Sequence, residues 1–167
     1  MKDLIFSIRS VLSDDAAELA KIYNHYIENT IITFEEESVT DDIIKERITE
    51  VQSSHLPWLV VEQEGNILGY AYAGKWKGRC AYRYSVEVTV YLRPDSVGKG
   101  IGSALYSKLL PALKTRGTHV AIGGIALPNK ESVNLHEKMG FLKVAHFKEV
   151  GFKFNHWIDV GYWQRIL

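Results

Sequence analysis

The stretch that decides the fold reads YSVEVTVYLRPDSVGKGIGSALYSKLL and runs from Tyr84 to Leu110. Its first nine residues alternate in polarity, which predicts a half-buried strand ending at Leu92. A glycine-rich loop follows. Apolar residues at helical spacing then predict a helix from about Gly100 to Arg116. Pro111 falls late in this pattern, and we expect it to kink the helix or end it early.

The glycine-rich loop is predicted to bind a phosphate group. Gly98, Gly100 and Gly102 lack Cβ atoms where backbone N–H groups at a helix N-terminus can approach an anion, and Lys99 adds a positive charge. The loop matches neither the dinucleotide fingerprint, which needs glycine where Ser103 stands, nor the Walker A motif, which needs Ser or Thr at position 100. A glycine-rich turn without a ligand is the alternative. The local net charge of +4 over residues 93–116 favours the anion site.

The remaining patterns place this unit in a mixed α/β fold. Strands are predicted at Leu4–Val11, Trp58–Gln63, Ile67–Trp76, Thr118–Ala126, and within 142–150 and 157–166. Helices are predicted after an N-cap at Ser13, after an N-cap at Thr40 through Val51, and over Asn129–Met139. The resulting order, βααβββαβαββ, excludes a purely parallel sheet.

Length and composition exclude several classes of protein. The 167 residues suit one domain spanning 1–167, and 46% hydrophobic with 24% charged residues argues against disorder, a coiled coil or a fibre. No apolar run reaches membrane-spanning length, and the first fifteen residues do not resemble a signal peptide. With Cys80 as the single cysteine and no metal-ligand spacing among the histidines, we expect no disulfide, no metal and a cytoplasmic location.

The net charge of zero is the sum of two opposite halves. Residues 1–64 carry a net charge of −9 and residues 65–167 a net charge of +9. The basic half indicates an anionic partner, although the two halves could instead neutralise each other across one domain. Nucleic acid is not the expected partner, because the sequence has no recognition motif and no clustered basic helix.

The loop resembles the acetyl-coenzyme A loop of the GCN5-related N-acetyltransferases (GNAT), which reads Gln/Arg-x-x-Gly-x-Gly/Ala. Here the six residues Val97–Gly102 match it, with Val97 in place of Gln or Arg. The segment Pro128–Phe141 resembles the family's Asn…Ser…Leu-x-Glu-Lys-x-Gly-Phe element. The resemblance implies acetyl-CoA as co-substrate and a twisted, mostly antiparallel sheet of six to seven strands flanked by about four helices.

Four further segments are similar to the phosphinothricin acetyltransferase-like branch of that family: 76–82, 85–91, 151–154 and 157–164, with Thr33-Phe34 fitting as well. The similarity spans residues 9–166. It implies acetylation of the primary amine of a small amino-acid-like acceptor (phosphinothricin, methionine sulfone or methionine sulfoximine), herbicide or antibiotic resistance by detoxification, and a homodimer. Alternatives are another amine, such as a protein N-terminus or a polyamine, and a non-catalytic acyl-CoA-binding module. A polyamine would be repelled by Lys77 and Arg79.

Glu87 is the candidate general base, as the resemblance implies. Alternation places its carboxylate off the apolar face of its strand, although a simply solvated glutamate is the alternative. We expect Lys77, Arg79 and Arg83 to lower the pKa of Glu87, which favours proton transfer through water. A pure acyl-CoA binder would not need this carboxylate.

His136 is the second candidate catalytic residue. The phosphinothricin-type branch has histidine at this position, where it is implied to protonate the departing thiolate, and an imidazole titrates near neutral pH. The alternative is a histidine packed on its helix.

The resemblance also implies two sets of binding residues. The acceptor pocket would be lined by Phe34, Lys77, Arg79, Tyr82 and Thr89, and the Arg79 guanidinium would hold the acidic group of the acceptor. The cofactor would be bound by the backbone of Val90, Tyr91 and Leu92, by Gly98, Lys99, Gly100, Ile101, Gly102 and Ser103, and by Asn129. The aromatic residues Phe152, Phe154, Trp157, Tyr162 and Trp163 are expected in the core or at a dimer contact in preference to a ligand cage.

Overall fold

The computed structural model describes residues 6–167. Its strands are β1 (Ser7–Ser10), β2 (Trp58–Gln63), β3 (Asn66–Lys75), β4 (Ser85–Leu92), β5 (Val120–Leu127), β6 (Leu142–Lys153) and β7 (His156–Ile166). Its helices are α1 (Ala16–Asn29), α2 (Asp41–Ser53), α3 (Ile101–Thr115) and α4 (Lys130–Lys138). Short 3-10 turns lie at Ser13–Asp15, Cys80–Tyr82 and Pro94–Ser96.

The seven strands form one mixed sheet in the order β1-β2-β3-β4-β5-β7-β6. All neighbouring pairs are antiparallel except β4 and β5, which are parallel. The predicted α/β class, the element order and the mostly antiparallel sheet are therefore confirmed.

The parallel pair separates along its length. The register between β4 and β5 covers only Ser85–Glu87 against Val120–Ile122. Beyond that point β4 continues to Leu92, while β5 continues to Leu127 paired with β7 on its other side. A V-shaped gap, here called the split, therefore opens in the middle of the sheet immediately after Glu87.

Two apolar layers cover the two faces of the sheet. Alternation along β4 directs Val86 and Val88 toward α3, where they pack with Ile101 and Leu105. The opposite face is covered by α1 and α2 through a second cluster that includes Leu19, Ile27, Ile44, Ile48, Trp58, Val60 and Tyr70, with Tyr91 against it. Glu87 and Thr89 share the face of Tyr91, so they point toward the α1–α2 side.

The N-terminal elements differ in detail from the prediction. Ser13 does not cap α1, because Ser13–Asp15 forms a separate 3-10 turn and the helix begins at Ala16. The Asp15 carboxylate organises this turn, accepting hydrogen bonds from Leu12 N at 2.7 Å and from Arg9 at 2.8 and 2.9 Å. The predicted first strand is confirmed only over β1, and its residues 4–5 lie outside the described residues. The Thr40 cap is confirmed, with Oγ1 accepting from Ile43 N at 3.3 Å.

The predicted helix from about Gly100 to Arg116 is confirmed as α3. Pro111 does not end it early, because Leu109, Leu110 and Leu113 are buried around an exposed proline. The strand expected to reach Trp76 ends at Lys75. Lys77 and Arg79 therefore lie on the connection from β3 to β4, not on an alternating strand.

No helix within residues 6–167 combines the length and apolarity needed to cross a bilayer. The same residues contain no cluster of three or more His, Cys, Asp or Glu side chains arranged to hold a metal ion.

Candidate active site

The split contains a cavity of about 210 Å³ in which both faces of the sheet meet. Its walls come from β4 and β5, from the connection between α1 and α2, and from one side chain of α3. The lining residues are Ile32, Thr33, Phe34, Glu87, Val88, Thr89, Val90, Tyr91, Tyr106, Gly124, Ile125, Ala126, Asn129, Ser132 and His136. Of the predicted catalytic and acceptor residues, Glu87, His136, Phe34 and Thr89 are thus brought together, and the predicted cofactor residues Val90, Tyr91 and Asn129 join them.

Glu87 is the carboxylate of this cavity. It lies at the last paired position of β4 with β5, opposite Gly74 on β3. Burial raises the pKa of Glu87 above its usual value, and the charge of Lys77 only partly opposes that shift. The predicted lowering of the pKa is therefore wrong, because desolvation outweighs the nearby cations. A carboxylate with a raised pKa is a better proton acceptor at neutral pH.

Two consecutive glycines of β5 allow groups to approach the strand from both faces. A Cβ atom on Gly123 would lie 2.4 Å from His136 Nε2, and one on Gly124 would lie 3.1 Å from Glu87 Oε1. Adjacent residues of a strand point to opposite faces, so the bare backbone separates the base from the histidine. This pair was not predicted as part of the site, although glycines inside a buried strand are a known signal of close approach.

His136 is almost fully buried, with 3% of its surface exposed. Its Nδ1 lies 2.8 Å from the carbonyl oxygen of Ser132, which can only accept, so Nδ1 carries the hydrogen. Nε2 then accepts from the Tyr106 hydroxyl at 3.2 Å. Burial lowers the pKa of His136, so the ring is neutral at neutral pH. The neutral His136 ring donates its Nδ1 hydrogen to the Ser132 carbonyl oxygen, so its Nε2 atom is placed to orient the Tyr106 hydroxyl.

Tyr106 also lines the cavity, and it was not predicted as a site residue. It sits on the buried face of α3, and its ring centroid lies 5.3 Å from that of His136. Complete burial raises the pKa of Tyr106 strongly, which keeps the phenol protonated. A tyrosine within an apolar helical face carries no sequence signal that distinguishes it from core.

The acceptor residues implied by the resemblance divide into two groups. Phe34 and Thr89 line the cavity. Lys77, Arg79 and Tyr82 are exposed on the β3–β4 connection and do not line the cavity. The Lys77 ammonium lies 5.0 Å from the Trp76 ring centroid, and Trp76 packs edge-on against Tyr162 at 5.5 Å. The Lys77 end of this connection is therefore linked through Trp76 to Tyr162, which lies beside Glu87 outside the cavity lining.

The aromatic residues near the C-terminus have three different environments. Trp163 is in the core, as expected. Tyr162 is half-buried beside Gly124 and Glu87, so it lies next to the active-site carboxylate without lining the cavity, which the sequence did not indicate. Phe152, Phe154 and Trp157 are largely exposed, and the Phe152 and Trp157 rings pack at 4.8 Å.

A groove of about 490 Å³ adjoins the cavity and shares Ile32, Val90, Tyr91, Asn129 and Ser132 with it. Among the predicted cofactor residues, Val90, Tyr91, Leu92, Gly98, Gly100, Gly102, Ser103 and Asn129 line the groove, and Val97 lies there too. Lys99 and Ile101 do not line it. The Ile101 side chain is buried in the core, which leaves only its backbone to face an anion.

The groove fits the chemistry of acetyl-CoA. The β4 backbone beyond Glu87 is not paired with β5, so its N–H and C=O groups can bond to an amide-containing arm. Gly98 and Gly100 both have φ of +79° and lead directly into the N-terminus of α3, which favours a pyrophosphate. Asn129 Oδ1 accepts from Ser132 N at 3.1 Å and so fixes the start of α4 at the groove.

The charge asymmetry is not explained by ion pairing between the halves. Among residues 6–167, every ion pair joins two groups of the same half, such as Arg9 with Asp15 and Arg93 with Asp95. Ion pairs with the first half therefore do not consume the excess positive charge of the second half.

Comparison with known proteins agrees with this geometry. The family model of the Acetyltransferase (GNAT) domain matches residues 8–161. Phosphinothricin N-acetyltransferase of Streptomyces viridochromogenes is 40% identical over 95% of this chain and 86% of that protein. The L-methionine sulfoximine/L-methionine sulfone acetyltransferase of Salmonella typhimurium is 35% identical over 95% of this chain and 92% of that protein. The solved structure of yncA from Salmonella typhimurium with its cofactor acetyl-CoA has a TM-score of 0.94 and 34% identity, covering 97% of this chain and 94% of that one.

Proposed function

The chain belongs to the GNAT acetyltransferase family, and from this premise we propose that it transfers the acetyl group of acetyl-CoA to the primary amine of a small amino-acid-like acceptor. The observation that carries the proposal is the Glu87 carboxylate in the split, where the cofactor groove meets the cavity. Relatives named for phosphinothricin and for methionine sulfoximine and sulfone support these acceptors, and detoxification as the role.

Acetyl-CoA supplies the acetyl group as a reactive thioester. The exposed β4 edge at Val90–Leu92 would hold the pantetheine arm, and the backbone from Gly98 to Ser103 would hold the pyrophosphate. Lys99 would act as a mobile positive charge outside the groove. Asn129 would help to fix the arm at the junction with the cavity. These residues position the thioester at the split, beside Glu87.

Glu87 would remove one proton from the acceptor's ammonium group and pass it to solvent. The resulting neutral amine forms the new C–N bond as the C–S bond breaks. Because burial raises the pKa of Glu87, the carboxylate can take this proton directly, without the water relay that a low pKa would favour. A protonated amine cannot attack the thioester carbonyl, so proton removal by Glu87 must precede formation of the C–N bond.

Tyr106 would carry the second nitrogen proton to the sulfur. Its hydroxyl gives one proton as it takes another, so it does not become a tyrosinate, which burial disfavours. His136 Nε2 holds the hydroxyl in place. We therefore assign His136 a positioning role, because its own proton is on Nδ1 and bonded to Ser132. The products are the N-acetylated acceptor and the CoA thiol.

The acceptor would be recognised by an apolar wall and a cationic entrance. Phe34 and Thr89 line the cavity, while Lys77, Arg79 and Tyr82 are on the loop at its mouth. A guanidinium binds carboxylate or phosphinate through paired hydrogen bonds. An acceptor that carries an acidic group beside its amine suits this combination, and a polyamine does not.

We also propose a homodimer in the cytoplasm. The terminal strand β6 and the adjoining β7 expose a run of large apolar side chains: Leu142, Val144, Phe147, Val150, Phe152, Phe154, Trp157 and Ile166. An apolar patch of this kind is typical of an obligate interface, and a second copy of the chain is the proposed occupant. The free, exposed Cys80 suits a reducing compartment. Sedimentation of wild type and Trp157→Lys tests the dimer, since the lysine should produce monomers.

The test of the function is CoA-thiol release from acetyl-CoA across a panel of amines. Phosphinothricin, methionine sulfone and methionine sulfoximine should turn over, while spermidine and a peptide N-terminus should not. Glu87→Gln should lower kcat about 100-fold, within the usual range for general-base catalysis. Glu46→Gln, an exposed carboxylate on α2, is the matched control and should not change kcat.

Three results would contradict the proposal. Turnover of another amine class with the amino-acid analogues inert would exclude the acceptor. Wild-type kcat in Glu87→Gln would exclude the base. Binding of acetyl-CoA with no turnover of any amine would favour a non-catalytic module.

A further inference from the structure

Lys153 is a buried ionisable residue that the proposed reaction does not use. It is the last residue of β6, and 2% of its surface is exposed. Its ammonium group donates a hydrogen bond to the carbonyl oxygen of Thr33 at 2.8 Å. This contact joins the β6–β7 hairpin to the connection between α1 and α2, 120 residues away in the sequence.

Burying this ammonium is unfavourable on its own. Desolvation lowers the pKa of Lys153, and the charges of Glu36 and Glu35 only partly compensate. Within residues 6–167, no ion pair of Lys153 is present to offset the loss of water. An unbranched apolar side chain would fill the same space without this penalty. Two features could not be supplied by an apolar residue: the hydrogen bond to Thr33, and the contact of the ammonium with the Phe154 ring, whose centroid lies 5.0 Å away. Only the hydrogen bond reaches the connection between α1 and α2.

A second contact holds the same segment. A Cβ atom on Gly151 would lie 2.4 Å from Phe34 Cζ, so the Phe34 ring lies directly on the backbone of β6. Gly151 and Lys153 are two residues apart and therefore share one face of the strand. From the other side, the Tyr23 hydroxyl lies 2.8 Å from Thr33 Oγ1.

The segment held in this way, Ile32–Phe34, forms one wall of the active-site cavity. It contains no helix or strand. Its position is therefore not fixed by a backbone ladder, and it depends on contacts with neighbouring elements.

We propose that Lys153 is a positioning residue for the acceptor: its hydrogen bond to Thr33, together with the contact of Gly151 with Phe34, holds the segment Ile32–Phe34 in the geometry that binds the amine substrate. The proposal rests on the proposed function, since it concerns the acceptor side of the same site. The cofactor groove takes only Ile32 from this segment and is lined mainly by β4, the glycine loop and α4, so it should be much less affected.

The kinetic test compares Lys153→Met and Gly151→Ala with Lys148→Met, an exposed lysine of the same strand. Both test variants should raise the acceptor KM about tenfold, equivalent to about 1.4 kcal/mol of binding. The KM for acetyl-CoA should stay within about twofold of wild type, and Lys148→Met should match wild type in both constants. Gly151→Ala keeps the buried lysine, so it tests the segment even if Lys153→Met fails to fold.

Hydrogen–deuterium exchange gives a readout that does not need activity. Exchange at residues 31–36 should rise in Lys153→Met and Gly151→Ala, while exchange in α3 and α4 stays as in wild type. If the wild-type protein acetylates no amine in the panel, the proposed function fails and the exchange data alone decide the positioning role. Unchanged acceptor KM with unchanged exchange would overturn the inference. So would equal increases in both KM values, which indicate general destabilisation.

Discussion

The His136 ring packs directly against Gly123, so Gly123→Ala should lower both stability and catalytic rate. The added methyl carbon would lie 2.4 Å from His136 Nε2 and 2.6 Å from Cδ2. Ordinary contact needs at least 3.4 Å, so the buried ring must move by about 1 Å. Such overpacking costs about 1–3 kcal/mol. Loss of the hydrogen bond from Tyr106 to His136, 3.2 Å long, costs about 1 kcal/mol more.

The expected consequence is a loss of about 2–4 kcal/mol of unfolding free energy, or a fall in Tm of roughly 4–16 °C for a chain of this size. Differential scanning calorimetry measures the fall in Tm. Because the displaced ring no longer holds the Tyr106 hydroxyl, kcat should fall at least about tenfold in the thiol-release assay, or about 1.4 kcal/mol of barrier. The KM for acetyl-CoA should change much less.

Gly74→Ala is the matched control for stability. Gly74 also lies inside a strand of the sheet, but a Cβ atom there meets no heavy atom within 4 Å. Its Tm should equal or slightly exceed that of wild type, because alanine loses less backbone entropy on folding. If Gly123→Ala keeps both the Tm and the kcat of wild type, the His136 ring is not seated against Gly123 and the positioning role of His136 is wrong.

Three further substitutions test other parts of the site. Glu87→Gln should raise Tm at about pH 7.5 but not at about pH 4. Burial raises the folded-state pKa of Glu87, so the folded protein loses stability as pH increases through that pKa, and glutamine cannot ionise. Equal Tm differences at both pH values would contradict the burial of this charge. Gly100→Ala should raise the KM for acetyl-CoA and lower Tm, because a φ of +79° costs an L-residue about 1–2 kcal/mol; an unchanged KM would argue against the loop as the pyrophosphate site. Asn129→Ala should cost about 1 kcal/mol of stability through loss of the cap to Ser132, while Asn129→Asp retains it in thermal unfolding; equal losses in the two variants would argue against the cap.

Much of the site could be predicted because its parts are local in sequence. The alternation that puts Glu87 opposite the apolar face belongs to one strand, and the glycine loop follows it directly. Strand, loop and helix thus act as one unit whose chemistry is encoded in neighbouring residues. The Thr40 cap is local in the same sense, and it was also predicted correctly.

Residues that act through distant contacts were not predictable. Tyr106 looks like a core residue of α3 until the fold places its hydroxyl against His136. The Gly123-Gly124 pair is needed because the side chains of His136 and Glu87 approach the strand from opposite faces of the sheet. The pKa of Glu87 was predicted in the wrong direction because nearby cations are visible in the sequence and desolvation is not.

The class of fold, the glycine-rich loop and the carboxylate beside it could be predicted from the sequence, since periodicity and glycine spacing act over a few residues. The separation of β4 and β5 after Glu87 is visible only in the fold, because strand pairing depends on the relative position of chain segments more than thirty residues apart. That separation creates both the cavity and the unpaired edge of β4. The same holds for the segment Ile32–Phe34, where the Thr33 carbonyl oxygen accepts a hydrogen bond from a lysine 120 residues later in the chain.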